Sequence, residues 1–382
     1  MNHANPFTFD TVATVDSFCN RDNEIKELLG DVRASHNVIV FSLRRYGKTS
    51  LIGKVLDSAS EEGFIALYID IYHILSEEDL VRAYAKGLAS TLEGTIEKII
   101  QTLKAAFSSL RPKLTVGDDG KPEFTFGLES GRDTLLDLGE VFDSVEQYIN
   151  KRGKKGVVVF DEFQQIGQLP QAHRIESTIR SHIQRHTDIS YIFMGSKKHL
   201  IFDLFSDSNR PLYGMGKMFP LKKIPREHLN RFVFNRFEST GKHIPMRIVQ
   251  QLVEICETHP YYTQYVSYVL WEAAELNSTI TDQDLEKATS ITISRNSPRY
   301  ESIWELLPLR QKHALIALAR INPNEKLFSN DVIMKYNLAS APSFRKALTG
   351  LVRKGLVDKD LNAFSIMDLF FKKWTRINFS GD

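Results

Sequence analysis

Cysteine is nearly absent from this sequence. Cys19 and Cys256 are the only two in 382 residues, far apart and without paired spacing, so neither a disulfide framework nor a thiolate zinc cluster is indicated. No apolar run reaches the roughly 18 residues that a membrane-crossing helix needs. Residues 1–15 lack the basic stretch and apolar run of a secretory leader. An excess of one charge is missing too: 49 Lys and Arg against 47 Asp and Glu leave a net +2, which gives the chain as a whole no pull toward nucleic acid or membrane. Internal repeats and low-complexity tracts are also lacking. These absences point to a globular chain of two or three domains in a reducing, cytoplasmic setting, with any basic surface confined to one part.

Short β-branched runs alternate with helical patterns over the first 220 residues. Residues 1–15 look irregular, and Ile25, Leu28 and Leu29 then share one face of a helix. Residues 36–41, 64–69, 156–160 and 189–194 are continuous apolar runs, as expected of strands buried on both faces. Helical periodicity fills 50–61, 77–110, 133–150 and 172–186. Residues 113–126 form two alternating runs separated by Gly117-Asp118-Asp119-Gly120, the pattern of a hairpin inserted within about 85–130. The order predicts an α/β domain over 1–222, with a parallel sheet and helices on both faces. Helical periodicity without strands predicts a helical lid domain over 223–300. Three helices at 309–321, 329–336 and 343–354, followed by two short runs around Lys359-Asp360-Leu361-Asn362, predict a winged helix-turn-helix over 301–382.

The chemistry is concentrated at the ends of two strands. After the first comes Ser42-Leu43-Arg44-Arg45-Tyr46-Gly47-Lys48-Thr49, with Ser50 continuing into a helix. Phosphate binding calls for a tight turn of backbone N–H groups, an ammonium that reaches the outer phosphates, and a hydroxyl for magnesium at a helix mouth whose dipole favours anions. Gly47, Lys48 and Thr49 provide these in order, although Ser42 stands where the usual pattern has glycine. After the third strand come Asp161 and Glu162. At the carboxyl edge of a parallel sheet, Asp161 would serve Mg²⁺ together with Thr49, and Glu162 would orient or deprotonate the attacking water. ATP and Mg²⁺ are thus the expected ligands.

The loop together with Phe160-Asp161-Glu162-Phe163-Gln164 resembles the archaeal-type ATPase family of the AAA+/STAND group, which is also widespread in bacteria. The likeness extends to Phe18-Cys19-Asn20-Arg21-Asp22-Asn23-Glu24, Met194-Gly195-Ser196, Arg210-Pro211-Leu212-Tyr213-Gly214 and His259-Pro260-Tyr261-Tyr262. It implies a P-loop sheet of the AAA+ type that hydrolyses ATP. Asn20 and Arg21 would lie near the nucleotide base, Ser196 would act as a polar sensor, and Pro260 would approach the base from the lid. The residues alone equally fit plainer roles: a helix cap for Asn20, a turn for Ser196, a helix start for Pro260. Relatives often carry arginine after the Pro-Leu-Tyr-Gly stretch, but Met215 follows here, which leaves Arg210 and Lys217 as the finger candidates.

Residues 301–382 hold 13 Lys or Arg against 8 Asp or Glu, a local +5. The excess sits partly on Arg345, Lys346, Arg353 and Lys354 of the third helix and on Lys359, which suits double-stranded DNA or a protein partner. Phe344, Leu348 and Leu351 form a core-facing stripe. His182 and His186 share a helix face but lack an evident third metal ligand. The sequence therefore predicts an ATPase whose nucleotide state moves the lid and winged helix, or a slow nucleotide-gated switch; oligomer formation is left open.

Overall fold

The computed structural model describes residues 4–10, 18–92, 95–106, 110–116, 122–128, 138–276, 278–322, 325–360 and 363–379. The chain forms two compact units, one of Asn20–Lys222 and one that joins Met1–Cys19 to Lys223–Asp382.

The first unit is built on strands β1 (Val38–Phe41), β2 (Ile65–Asp70), β5 (Gly156–Asp161), β6 (Ile189–Gly195) and β7 (Lys217–Pro220), with β3 (Leu110–Val116) and β4 (Pro122–Leu128) as a separate antiparallel pair. Order across the five-stranded sheet is β2-β5-β6-β1-β7, and the neighbours run parallel. Every residue of β1 and β6 is buried, as is all of β5 except its final Asp161, which is why these segments show no alternation. On β2, at one edge, Leu67 and Ile69 are buried while Ala66, Tyr68 and Asp70 on the alternate face are not.

Among the described residues of this unit, the α-helices are α1 (Asp22–Arg33), α2 (Lys48–Glu61), α3 (Glu77–Ala89), α4 (Ile96–Ala106), α5 (Leu138–Asn150), α6 (Ala172–Ile183) and α7 (Lys198–Ser206), with a short 3-10 helix at Phe163–Gln168. Ile39, Phe41, Leu67, Ile69, Phe160 and Phe193 share a core with Leu80, Tyr84, Phe142 and Ile179 from α3, α5 and α6. Helices α1 and α2 also pack against the sheet, α1 on β6 and α2 on β2 and β5. Register pairs Phe41 with Gly195, Phe160 with Phe193 and Asp70 with Asp161, so the strands end along one edge. Two elements escape the sequence patterns. Strand β7 has four residues with only Phe219 buried, and α7 follows β6 after two residues. The turn expected at Gly117–Gly120 and the helix start expected at 133–137 lie outside the described residues.

The second unit contains α8 (Arg226–Glu238), α9 (Met246–Ile255), α10 (Pro260–Ala273), α11 (Asp282–Glu305), α12 (Leu309–Arg320), α13 (Asn330–Lys335), α14 (Ala341–Arg353), β8 (Val357–Asp360), β9 (Ala363–Ile366) and α15 (Leu369–Asn378). Its helical and winged parts share one core, in which Tyr262 meets Phe370 at 4.7 Å between ring centroids and Tyr300 meets Phe371 at 5.2 Å. Phe344, Leu348 and Leu351 face that core as their spacing requires. A division at residue 300 falls inside α11, a single helix opened by the Thr281–Asp284 capping box and carried through Pro298. The N-terminal segment also departs from its expected place, because Phe7 is 1% exposed and packs 5.1 Å from Phe237 in this second unit. Residues 361 and 362 of the expected wing lie outside the described residues.

Candidate functional site

The loop between β1 and α2 closes through two left-handed residues, Arg45 (φ 64°) and Gly47 (φ 85°). An added Cβ on Gly47 would meet nothing within 4 Å, so glycine is required there by backbone angle and not by space. Ser42 is not among the positive-φ residues, which explains why serine replaces the usual glycine. Lys48 opens α2 and is 7% exposed. Its Nζ donates to the Ser42 carbonyl at 3.2 Å, the Ser42 hydroxyl at 3.2 Å and the Leu43 carbonyl at 3.3 Å, so the ammonium lies over its own loop.

Burial pushes Lys48 down to about 8; Glu162 and Asp161 oppose that shift and Arg44 adds to it. A triphosphate against Nζ would favour the charged form, so binding above pH 8 must draw in a proton. ATP affinity measured in EDTA is therefore expected to fall about tenfold between pH 7 and pH 9. A flat titration over that window would remove Lys48 from the phosphate contacts.

The acidic pair sits one strand away from the loop's neighbour. Asp161 accepts a hydrogen bond from the Tyr68 hydroxyl at Oδ2 and one from the Glu162 backbone N–H at Oδ1, the latter at 2.8 Å. Burial raises its pKa, the Tyr68 hydrogen bond opposes this, and the adjacent Glu162 charge adds to it. Glu162 has φ 57°, a left-handed geometry that is costly for a side-chain-bearing residue and often found at functional sites. Its Oε2 accepts from the Ser196 hydroxyl at 2.8 Å and from the Gln164 amide. Gln164, 1% exposed, is a site residue whose role the sequence did not reveal, although it stands in the strand-end motif. Gly195 makes room for it, since a Cβ there would lie 2.8 Å from Gln164 Oε1.

Asn20 has φ 27° and its Oδ1 accepts from the Asp22 N–H at 3.4 Å, an Asx turn one residue ahead of Arg21, which is the N-cap of α1 in place of the helix cap expected of Asn20. Arg21, 3% exposed, donates to Glu24 at 2.6 Å and to the Tyr46 carbonyl at 3.4 Å, which ties α1 to the phosphate loop. Tyr46 is buried, Arg44 and Arg45 are exposed, and Thr49 and Ser50 lie partly exposed in the first turn of α2. Pro260 belongs to the second unit, where it begins α10.

Neither finger candidate is extended. Arg210 grips the fully buried Glu176 with two hydrogen bonds, at 2.5 and 3.1 Å, and Lys217 pairs with Glu27 and Asp31 at 2.8 Å each. His182 Nδ1 makes a hydrogen bond to Asp143 at 2.6 Å and His186 Nδ1 one to Tyr191 at 2.7 Å, while His186 Nε2 faces Asp143 and Glu146 at 3.6 Å each.

The site's residues fit a magnesium ion. Thr49 and Asp161 offer hard oxygen donors, and the desolvated Asp161 beside Glu162 is a local excess of negative charge that a divalent cation would relieve. Mg²⁺ takes one or two protein ligands and otherwise phosphate oxygens and water. The described residues contain no group of three or more His, Cys, Asp or Glu side chains that could hold a metal ion by themselves.

A loop of this form at the carboxyl edge of a five-stranded parallel sheet defines a P-loop nucleotide-binding protein. The family model for an ATPase domain predominantly from Archaea matches residues 18–262, and this chain belongs to that family. A model for a probable winged helix domain matches residues 298–377. An uncharacterised ATP-binding protein of Methanocaldococcus jannaschii is 26% identical over 161 residues, 40% of this chain; the match spans 37% of that relative's length. Among solved structures, a Walker-type ATPase of Pyrococcus abyssi superposes with a TM-score of 0.65 at 17% identity, covering 95% of this chain and 97% of that one. The Aeropyrum pernix ORC1 protein in complex with DNA gives 0.50 at 15% identity, with 97% and 94% covered. At these identities the likeness speaks for the fold alone. No helix among the described residues is long and apolar enough to cross a membrane.

Proposed function

We propose that this chain binds Mg·ATP on residues 42–50 and hydrolyses it to ADP and phosphate. One observation carries the reading: the loop with Lys48 after β1 and the Asp161–Glu162 pair at the end of β5 lie along one carboxyl edge of the sheet with only β6 between them, and the two carboxylates raise the Lys48 pKa against its burial. Lys48 would draw the outer phosphates, Thr49 and Asp161 would hold Mg²⁺, and the cation would supply charge neutralisation of the triphosphate. Glu162, fixed through one oxygen by Ser196 and Gln164, keeps its other oxygen for the attacking water. The roles of Asn20, Arg21 and Pro260 near the base rest on the family likeness. Arg21 also steadies the loop through Tyr46.

In this reading, turnover in a cytoplasmic setting moves the helical and winged parts. Arg345, Lys346, Arg353, Lys354 and Lys359 are exposed on α14 and the wing, which supports duplex DNA or a protein partner there. A second reading, a nucleotide-gated switch with very slow turnover, is favoured by the engagement of Arg210 and Lys217 within the chain. Steady-state phosphate release with and without duplex DNA separates them. DNA-stimulated release supports the working ATPase. ATP retained unhydrolysed in both conditions supports the switch, and failure to bind ATP defeats both.

A further inference from the structure

The proposed cation ligands do not stand alone. Tyr68 projects from β2, the edge strand next to β5, on the face opposite the buried Leu67 and Ile69. Helix α2 packs on β2 and β5, with Thr49 in its first turn. The Tyr68 hydroxyl donates to Asp161 Oδ2, and the Thr49 side chain interacts with the same phenol. One phenol therefore bonds Asp161 directly and lies beside Thr49, the two side chains that would hold the cation. Packing does not explain it, because a half-buried phenylalanine would cover the same surface and Tyr68 stands outside the large core of this unit.

We propose that Tyr68 is a positioning residue that sets the divalent-cation requirement of the nucleotide site; this rests on the Mg·ATP reading given above. A carboxylate has about four lone-pair directions. With one taken by the phenol O–H on Oδ2 and one by the Glu162 N–H on Oδ1, Asp161 is held in a single rotamer that leaves each oxygen capacity for a cation. An Asp161 free to rotate would have to be ordered each time a cation bound, and that ordering would weaken binding.

Tyr68→Phe tests this, because it keeps the ring and removes the hydroxyl. The affinity of a fluorescent ATP analogue would be titrated against Mg²⁺ for parent and variant. Expected are unchanged affinity in EDTA, a melting temperature without Mg²⁺ slightly below the parent's, and a half-saturating Mg²⁺ concentration raised about five- to tenfold. In an Asp161→Asn background the same change should add nothing, since Tyr68 acts through that carboxylate. An equal or lower Mg²⁺ requirement in Tyr68→Phe overturns the proposal, and so does a further loss in the Asp161→Asn background. If the parent binds no analogue with or without Mg²⁺, the nucleotide reading itself fails; if it binds and only the Mg²⁺ shift is missing, that reading stands and Tyr68 alone is misassigned.

Discussion

Glu162→Gln is expected to bind Mg·ATP as tightly as the parent and to release phosphate about 10²- to 10⁴-fold more slowly, the usual contribution of a positioned general base. The amide has the same shape as the carboxylate, and its oxygen can still accept from Ser196 and Gln164, so the backbone at this left-handed position has no reason to move. What disappears is the capacity to take a proton from water. Single-turnover hydrolysis measured beside ATP-analogue titration checks the split between binding and chemistry. Hydrolysis at the parental rate would remove Glu162 from the reaction.

Lys48→Ala should act on the other half of the split. A charged hydrogen bond contributes about 1.5–3 kcal/mol, and Nζ would make more than one to a triphosphate, so ATP affinity is expected to fall by more than about 100-fold. Stability without nucleotide should not suffer. The folded pKa of Lys48, about 8, lies below its ordinary 10.5, so holding the charge is a cost to the fold. That cost is full below pH 8, and because the unfolded chain keeps the proton longer, stability rises as pH climbs from there toward 10.5. The alanine variant should melt at or above the parental temperature at pH 7, yet lose the rise in melting temperature that ATP gives the parent. An ATP-induced rise equal to the parent's would mean that the phosphates sit elsewhere.

The loop and the strand-end carboxylates were legible because their chemistry demands contiguous residues: Gly-Lys-Thr after an apolar strand, Asp-Glu after another. The continuous apolar runs announced the central strands for a similar reason, since burial on both faces leaves no choice of residue type. Contacts between distant positions left no such trace. Tyr68 reaches Asp161 across 93 residues and Ser196 reaches Glu162 across 34, and nothing local distinguishes either from an ordinary strand or turn residue. Arg210 was open to a finger role because its partner Glu176 sits 34 positions earlier on α6. The edge strand β7 was missed because a strand that buries one side chain has almost no pattern. The boundary near residue 300 was drawn from the order of helices that makes a winged helix, and it falls close to where the winged helix family model begins, at residue 298; what the order did not show is that α11 runs through it, because Pro298 removes one hydrogen bond from the helix without ending it.

The burial of Phe7 in the second unit sets a timetable for synthesis. Its neighbour Phe237 and the rest of that core are translated only after the whole of Asn20–Lys222. A ribosome adding about 5–20 residues per second keeps Phe7 waiting for ten seconds or more while the intervening sheet assembles. Phe7 thus precedes a whole unit in synthesis yet can pack only after that unit has been made.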